Sequence, residues 1–143
     1  MYRWINKQIS FSINTYKQAK EVIEELKKYK VIPILHIKNY LIKRFGIEWI
    51  ISLKKMLEKD FPSNSFKFSV DAKSDYGLVI NLANNKINFI ELKSDQKILK
   101  KIGQICKKNR VLLNPTFRIV DLSNINNINK KLSKIFLKDR YEN

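Results

Sequence analysis

Polar and charged side chains that could contact a ligand follow the apolar stretches of this 143-residue chain. Lysine ammonium groups favour anionic ligands, and a carboxylate can orient a hydroxyl or an amine. The residues that best combine these chemistries are His36, Lys38, Asp71, Lys73, Asp75 and Ser94. They predict a domain that binds a small anion or metabolite, or a catalytically degenerate relative of such a binder.

Asp71 is the most informative of these residues because it ends an alternating apolar stretch, Phe66–Val70. In one interpretation its carboxylate positions a ligand or acts as a base. In the other it caps the following helix, since Asp is a favoured capping residue, or it pairs with Lys73. The sequence leaves both interpretations open.

An enzyme of aldolase or lyase type is an alternative function. The imidazole of His36 titrates near neutral pH and could act as a base, and Lys73 could form a Schiff base if burial lowered its pKa. Either residue could act together with Asp71. No motif identifies a reaction, so the sequence assigns no catalytic residue.

The sequence lacks the motifs of common cofactor and metal sites. A single cysteine, Cys106, and a single histidine exclude an internal disulfide and the usual zinc-ligand spacings. The three isolated glycines form neither G-x-G-x-x-G nor G-x-x-x-x-G-K-[ST]. We therefore predict no metal and no cofactor. Cys106 lies on the apolar face of a predicted helix, which indicates a buried structural thiol.

The hydrophobic pattern alternates between strand and helix along the chain, which is typical of βαβ units and a parallel sheet. It predicts strands at 9–13, 31–35, 66–70, 87–92 and 111–113, with a further extended segment at 117–122. Helices are predicted from Thr15 to Lys30, and at 47–59, 77–84, 94–108 and 124–137, with Met56 facing inward. Thr15 and Ser94 are predicted to cap the helices that begin there. The residues predicted to form the buried core include Leu26, Ile34, Val70, Phe89 and Ile102. The predicted fold is one α/β domain of about five mostly parallel strands, either three-layered or a partial (βα) barrel.

Ligands of parallel sheets bind beyond the carboxyl ends of the strands, where the following loops meet. This rule predicts that His36, Lys38, Asp71, Lys73 and Ser94 converge, although they are far apart in sequence. We interpret residues 36–46 as a long connection after the second strand, which places His36 and Lys38 in a loop.

The net charge of +16, from 29 basic and 13 acidic residues, is the outlying feature of the composition. The lysines are spread over several predicted helices, which predicts weak, salt-dependent and non-specific binding of polyanions. A basic protein associated with RNA or the ribosome is therefore a second alternative function.

No apolar run is long enough to span a membrane, and the N-terminal segment Met1–Lys7 has no apolar region typical of a signal peptide. We therefore predict a cytoplasmic protein without membrane contact. The oligomeric state is not predicted.

The order of features from residue 9 to residue 122 resembles a family of uncharacterised small α/β proteins of alphaproteobacteria. The shared features are Gly46 and Trp49 before a helix, the turn Asp71–Gly77, and a terminal Asp121-Leu122. The family turn is Asp-Cys-Gly-Asp-x-x-Gly, of which this chain keeps the first Asp and the last Gly. The resemblance implies the α/β fold and no known activity. It also implies that this chain lacks any chemistry of the family's turn cysteine.

Overall fold

Strands and helices alternate along the chain, as the hydrophobic pattern predicts. The computed structural model describes residues 9–141, so the segment Met1–Lys7 lies outside the described residues. The strands are β1 (Ile9–Ser12), β2 (Ile34–Ile37), β3 (Lys67–Asp71), β4 (Phe89–Glu91), β5 (Leu112–Leu113) and β6 (Arg118–Asp121). The helices are α1 (Tyr16–Lys27), α2 (Asn39–Phe45), α3 (Ile47–Asp60), α4 (Tyr76–Asn84), α5 (Gln96–Lys108) and α6 (Ile128–Tyr141).

The six strands form one parallel sheet in the order β5-β4-β3-β2-β1-β6. Each of the first four strands therefore lies beside the next one along the chain, and β6 returns to pair with β1. Right-handed crossovers in one direction place the connecting helices on the same face of the sheet. This arrangement is that of part of a (βα) barrel and agrees with the predicted α/β fold.

The connection from β5 to β6 shows that the sheet is curled. These strands are the two edges of the sheet, yet only residues 114–117 join them. The edges of a flat six-stranded sheet lie roughly 24 Å apart, whereas the five steps from Leu113 to Arg118 span at most about 18 Å. The rings of Phe89 in β4 and Phe117 in the connection are 4.9 Å apart, so the two edges approach each other.

Because partners in a parallel ladder point to the same side of a sheet, the register separates the side chains into two faces. The convex face is apolar and packs into the buried core with the helices. It carries Phe11, Leu35, Ile37, Phe68, Val70 and Ile90. The concave face carries polar side chains that are equally buried, which are Ser10, Ser12, His36 and Ser69.

Side-chain caps begin four of the helices, including α6, where Asn127 accepts from the Lys130 amide. The Thr15 hydroxyl accepts a hydrogen bond from the Gln18 amide, as predicted. Asp75 caps α4 by accepting from the Leu78 amide. Asp95 caps α5, so the prediction that Ser94 caps this helix is wrong. The Asp carboxylate suits this position because it also faces the positive end of the helix dipole.

The second strand begins later than predicted. Pro33 has no amide hydrogen to donate, and ladder pairing starts with Ile34. The strand predicted at Val31–Leu35 therefore starts three residues later, at Ile34. His36 consequently lies inside β2 and not in the loop after it. The predicted long connection is also wrong, because Asn39–Phe45 forms α2. Gly46, with φ of +83°, then allows the turn into α3.

Most of the predicted core is buried, including Leu26, Ile34, Val70 and Ile102. Met56 is 47% exposed, so the prediction that it faces inward is wrong. Phe89 is only half-buried, so the prediction that it is buried is wrong. It lies on the concave face, where its ring contacts that of Phe117. Cys106 is buried as predicted, and burial raises the pKa of its thiol.

Within residues 9–141, no helix combines the length and the apolar character that crossing a membrane requires.

Candidate ligand-binding site at the carboxyl ends of the strands

A row of polar side chains crosses the concave face on three neighbouring strands. Ser12, His36 and Ser69 are ladder partners in β1, β2 and β3, so they stand side by side at intervals of about 4.8 Å. All three are at least 95% buried. Neither serine hydroxyl nor the Nδ1 of His36 has a hydrogen-bond partner within residues 9–141. We call these three residues the polar row.

Charged side chains surround the polar row where the strands end. They are Lys38 after β2, Asp71 and Lys73 at the end of β3, Glu91 and Lys93 at the end of β4, and Asp121 at the end of β6. We call these six residues the mouth. The mouth combines three ammonium groups with three carboxylates around a neutral floor.

Glu91 lies close to the polar row. Its Oε1 lies 3.7 Å from the Nδ1 of His36, and its side chain is 36% exposed, whereas that of His36 is 6% exposed. Burial lowers the pKa of His36, with Lys38 acting in the same direction and the charges of Asp71 and Asp121 opposing it. Burial raises the pKa of Glu91, and the neighbouring charge of Asp71 raises it further.

Asp71 holds the turn after β3 and does not cap the following helix. Its Oδ1 accepts a hydrogen bond of 3.0 Å from the Lys73 amide, and its Oδ2 lies 3.5 Å from the Lys73 ammonium. The pairing with Lys73 is therefore present. Asp71 is also the ladder partner of Glu91, so the two carboxylates stand next to each other on one face.

A second charged cluster lies on the β1–β6 side of the mouth. The Lys38 ammonium is 2.5 Å from Oδ2 of Asp121 and donates to the Ser123 hydroxyl at 3.2 Å. Ser123 in turn donates its amide and its hydroxyl to Oδ1 of Asp121. Burial acts to raise the pKa of Asp121, but these hydrogen bonds and the Lys38 charge outweigh it and lower the pKa to about 2.

The structure brings four of the six predicted residues to one edge of the sheet. His36, Lys38, Asp71 and Lys73 lie together there, and the charges of Asp71 and Lys38 both act on His36. Asp75 instead caps α4 from an exposed position. Ser94 lies between β4 and α5, and among the described contacts it has no link to the polar row. That these residues bind a ligand stays a prediction.

Sequence reasoning missed Glu91, Asp121 and the two serines of the polar row. Glu91 lies within the apolar run 87–92, which does not draw attention to it. Because Glu91 directly follows Ile90 in the predicted strand, the two side chains must point to opposite faces of the sheet, and this was the available signal. Ser12 alternates with Phe11 and Ile13, a pattern that usually indicates solvent exposure. The serine is buried here because the sheet is curled, which no local pattern shows.

The described residues 9–141 contain no cluster of three or more His, Cys, Asp or Glu side chains that could hold a metal ion.

The comparisons with known proteins support the fold alone. No protein-family model matches the chain, and no curated protein matches it. Among solved structures, the chain is similar to a protein from Coccidioides immitis assigned as a fructose-1,6-biphosphate aldolase, with a TM-score of 0.58 at 8% identity. The similarity covers 75% of this chain and 44% of that one, so this chain spans less than half of its neighbour's length. That neighbour has a fold of the TIM-barrel type, which agrees with the curled parallel sheet.

Proposed function

We propose that the chain binds a small anionic metabolite at the mouth of the concave face. The observation that carries this proposal is the polar row, whose buried hydroxyl and imidazole groups have no hydrogen-bond partner within residues 9–141. A buried polar group without a partner costs roughly 1–3 kcal/mol of stability. An apolar interior would avoid this cost, so the retention of these groups favours a role in binding.

The charges of the mouth indicate the chemistry of the ligand. Lys73 is exposed, and its ammonium is 3.5 Å from Asp71, a separation that leaves it able to contact an incoming anion. Asp71 and Glu91 are acceptors for hydroxyl or amino groups. A ligand that carries one anionic group together with hydroxyl groups matches both kinds of side chain.

Thermal-shift and calorimetric screening with small anions tests this proposal. The panel compares inorganic phosphate, sulfate and citrate with the hydroxylated anions glycerate and glycerol 3-phosphate. We expect a hydroxylated anion to raise the melting temperature most. Asp71→Asn should abolish that binding, because it replaces one accepting oxygen of the mouth with a donating amide nitrogen and removes the charge that orients the Lys73 ammonium.

Asp95→Asn is the matched control. It removes the same charge at the start of α5, where Asn remains a good cap, and it lies outside the mouth. We expect this variant to bind like the wild type. If no anion in the panel binds, or if Asp71→Asn binds as tightly as Asp95→Asn, the proposal is wrong.

Weak binding of polyanions is a second proposal, which the net charge of +16 favours. Exposed lysines lie on α1, α5 and α6, so the positive field surrounds the protein and does not mark one groove. We expect affinity for RNA that falls steeply with salt and is equal for a scrambled sequence. A strong preference for one RNA sequence would favour the RNA-associated alternative. Cytoplasmic localisation stays a prediction.

A further inference from the structure

Glu91 combines three properties that ligand binding alone does not need. Its side chain is accessible from the mouth, it lies 3.7 Å from a buried imidazole nitrogen, and it is the ladder partner of a second carboxylate, Asp71. The Nδ1 of His36 is at least nine-tenths buried and has no hydrogen-bond partner within the described residues. Glu91 therefore connects the exposed mouth with the buried polar row.

The environment brings the proton affinities of these two groups closer together. Burial lowers the pKa of His36 and raises that of Glu91, which reduces the usual difference between an imidazole and a carboxyl group. A group whose pKa lies nearer to neutral pH is a more effective acid–base catalyst. Perturbed groups of this kind are concentrated at functional sites.

Charged groups face this pair from each strand that ends at the mouth. Lys38 follows β2 and Asp121 ends β6, and both act on His36. Asp71 and Lys73 come from β3, and Lys93 follows β4. The ammonium groups of Lys73 and Lys93 act on Glu91 and partly oppose the effect of Asp71. A carboxylate base thus stands close to two cations that can stabilise a developing oxyanion.

We propose that Glu91 is the catalytic acid–base residue of this site and that His36 is its positioning residue. The substrate class is a carbonyl compound that also carries an anionic group and has a hydrogen on the carbon next to the carbonyl. This inference rests on the proposed function, since the same mouth must first bind the anion.

The proton-transfer step balances without a further reactant. The Glu91 carboxylate accepts a proton from the carbon next to the carbonyl, and the electron pair of that C–H bond forms a carbon–carbon double bond. The carbonyl π electrons move to the oxygen, whose negative charge Lys73 and Lys93 stabilise. Return of a proton from Glu91 to the carbon restores the carbonyl, so nothing is oxidised or reduced.

Deuterium exchange tests this step with two probes, pyruvate and dihydroxyacetone phosphate. The protein is incubated with each probe in D2O, and proton NMR follows the loss of the C–H signal beside the carbonyl. We expect the wild-type protein to exchange at least one probe faster than buffer alone. Glu91→Gln should slow this exchange by about 100-fold or more, as loss of a general base does. Glu58→Gln, an exposed change of the same type on α3, should have no effect.

The positioning role of His36 has its own readout. In the wild type the exchange rate should rise with pH as Glu91 ionises, at a midpoint above the usual value for Glu. His36→Asn admits water beside Glu91 and should move this midpoint to lower pH. A lower rate with an unchanged midpoint would show that His36 is only structural and would overturn its assignment.

Ligand-observed NMR on the same samples separates the two proposals. If a probe binds and Asp71→Asn abolishes the binding, but no exchange exceeds the buffer rate, the acid–base inference is wrong and the proposed function stands. If neither probe binds, the assignment of this substrate class is wrong, whether or not the hydroxylated anions of the thermal-shift panel bind. Exchange that persists in Glu91→Gln overturns the role of Glu91.

Discussion

The central side chains of the two faces of the sheet are buried to the same degree but differ in chemistry. Phe68 and Val70 on the convex face are as inaccessible as Ser69 between them. The convex side chains pack against helices, whereas the hydroxyl of Ser69 has no hydrogen-bond partner within residues 9–141. Burial alone therefore does not identify a core. The convex face stabilises the fold, and the concave face holds polar groups at a cost in stability.

The largest expected effect is a difference in stability between alanine variants of two phenylalanines, one on each face of the sheet. Phe68→Ala should lower the free energy of unfolding by ~3–5 kcal/mol, because this convex side chain is 1% exposed and its loss leaves a cavity. Phe89→Ala should cost clearly less, because Phe89 is half-buried on the concave face. Urea denaturation of both variants measures the difference. Equal losses would mean that the two faces do not differ as described.

Substituting a serine of the polar row should change the free energy of unfolding in the opposite direction and stabilise the protein. Ser69→Ala should raise the free energy of unfolding by about 1 kcal/mol, because it removes a buried hydroxyl that lacks a hydrogen-bond partner within residues 9–141. Ser65→Ala is the control, since the Ser65 hydroxyl donates to the Pro62 carbonyl at 2.6 Å and its loss should not stabilise the protein. If Ser69→Ala instead destabilises the protein, its hydroxyl contributes a stabilising contact.

The Lys38–Asp121 pair should matter little at neutral pH. Asp121→Asn should cost no more than about 1 kcal/mol at pH 7, because the Asp121 side chain is 49% exposed and solvent screens the pair. The carboxyl pKa is lowered from 3.8 to about 2, so its contribution is complete above pH 3.8 and is lost as pH falls through 2. Melting temperatures of both proteins between pH 2 and pH 5 should therefore converge at the acid end.

The pH dependence of stability should show that His36 is buried and neutral. Burial lowers the pKa of His36 below its ordinary value of 6.5, so the unfolded chain binds more protons than the folded one just below that pH. The free energy of unfolding should fall as pH decreases below 6.5, and His36→Asn should remove this part of the slope. Glu91, whose raised pKa favours the folded state in acid, contributes in the opposite direction. If the free energy of unfolding of His36→Asn depends on pH as steeply as that of the wild type, the conclusion that His36 is buried and neutral is wrong.

The local hydrophobic pattern predicts the order of strands and helices, but it does not predict that the sheet curls and that β6 pairs with β1. Alternating and continuous apolar runs indicate the order of strands and helices, because burial of a face imposes the period of each element. The short helix α2 was missed because its seven residues contain only Leu41 and Ile42 as a buried apolar pair. The pairing of Ile9 with Arg118 joins distant parts of the chain, and no local period reports it.

The candidate site shows the same division. The rule for parallel sheets correctly places Lys38 and Asp71 at one edge, because it depends only on strand direction. It could not place Ser12 or Glu91, whose importance depends on the curvature that turns one face inward. The same rule selects Asp75 and Ser94, which follow strands in the sequence. Asp75 instead caps α4, and Ser94 lies beside Asp95, the cap of α5.

The imidazole NMR signal of His36 offers the most direct test of the central claim, that a ligand binds at the mouth of the concave face. His36 is the sole histidine of the sequence, so its signal needs no assignment. The measurement is a titration at constant pH with whichever hydroxylated anion, glycerate or glycerol 3-phosphate, stabilises the protein more. We expect the His36 signal to shift in a saturable way, with the affinity found by calorimetry, and to stay unmoved in Asp71→Asn. A signal that stays unmoved in the wild-type protein while calorimetry shows saturation would place the ligand elsewhere and contradict the account.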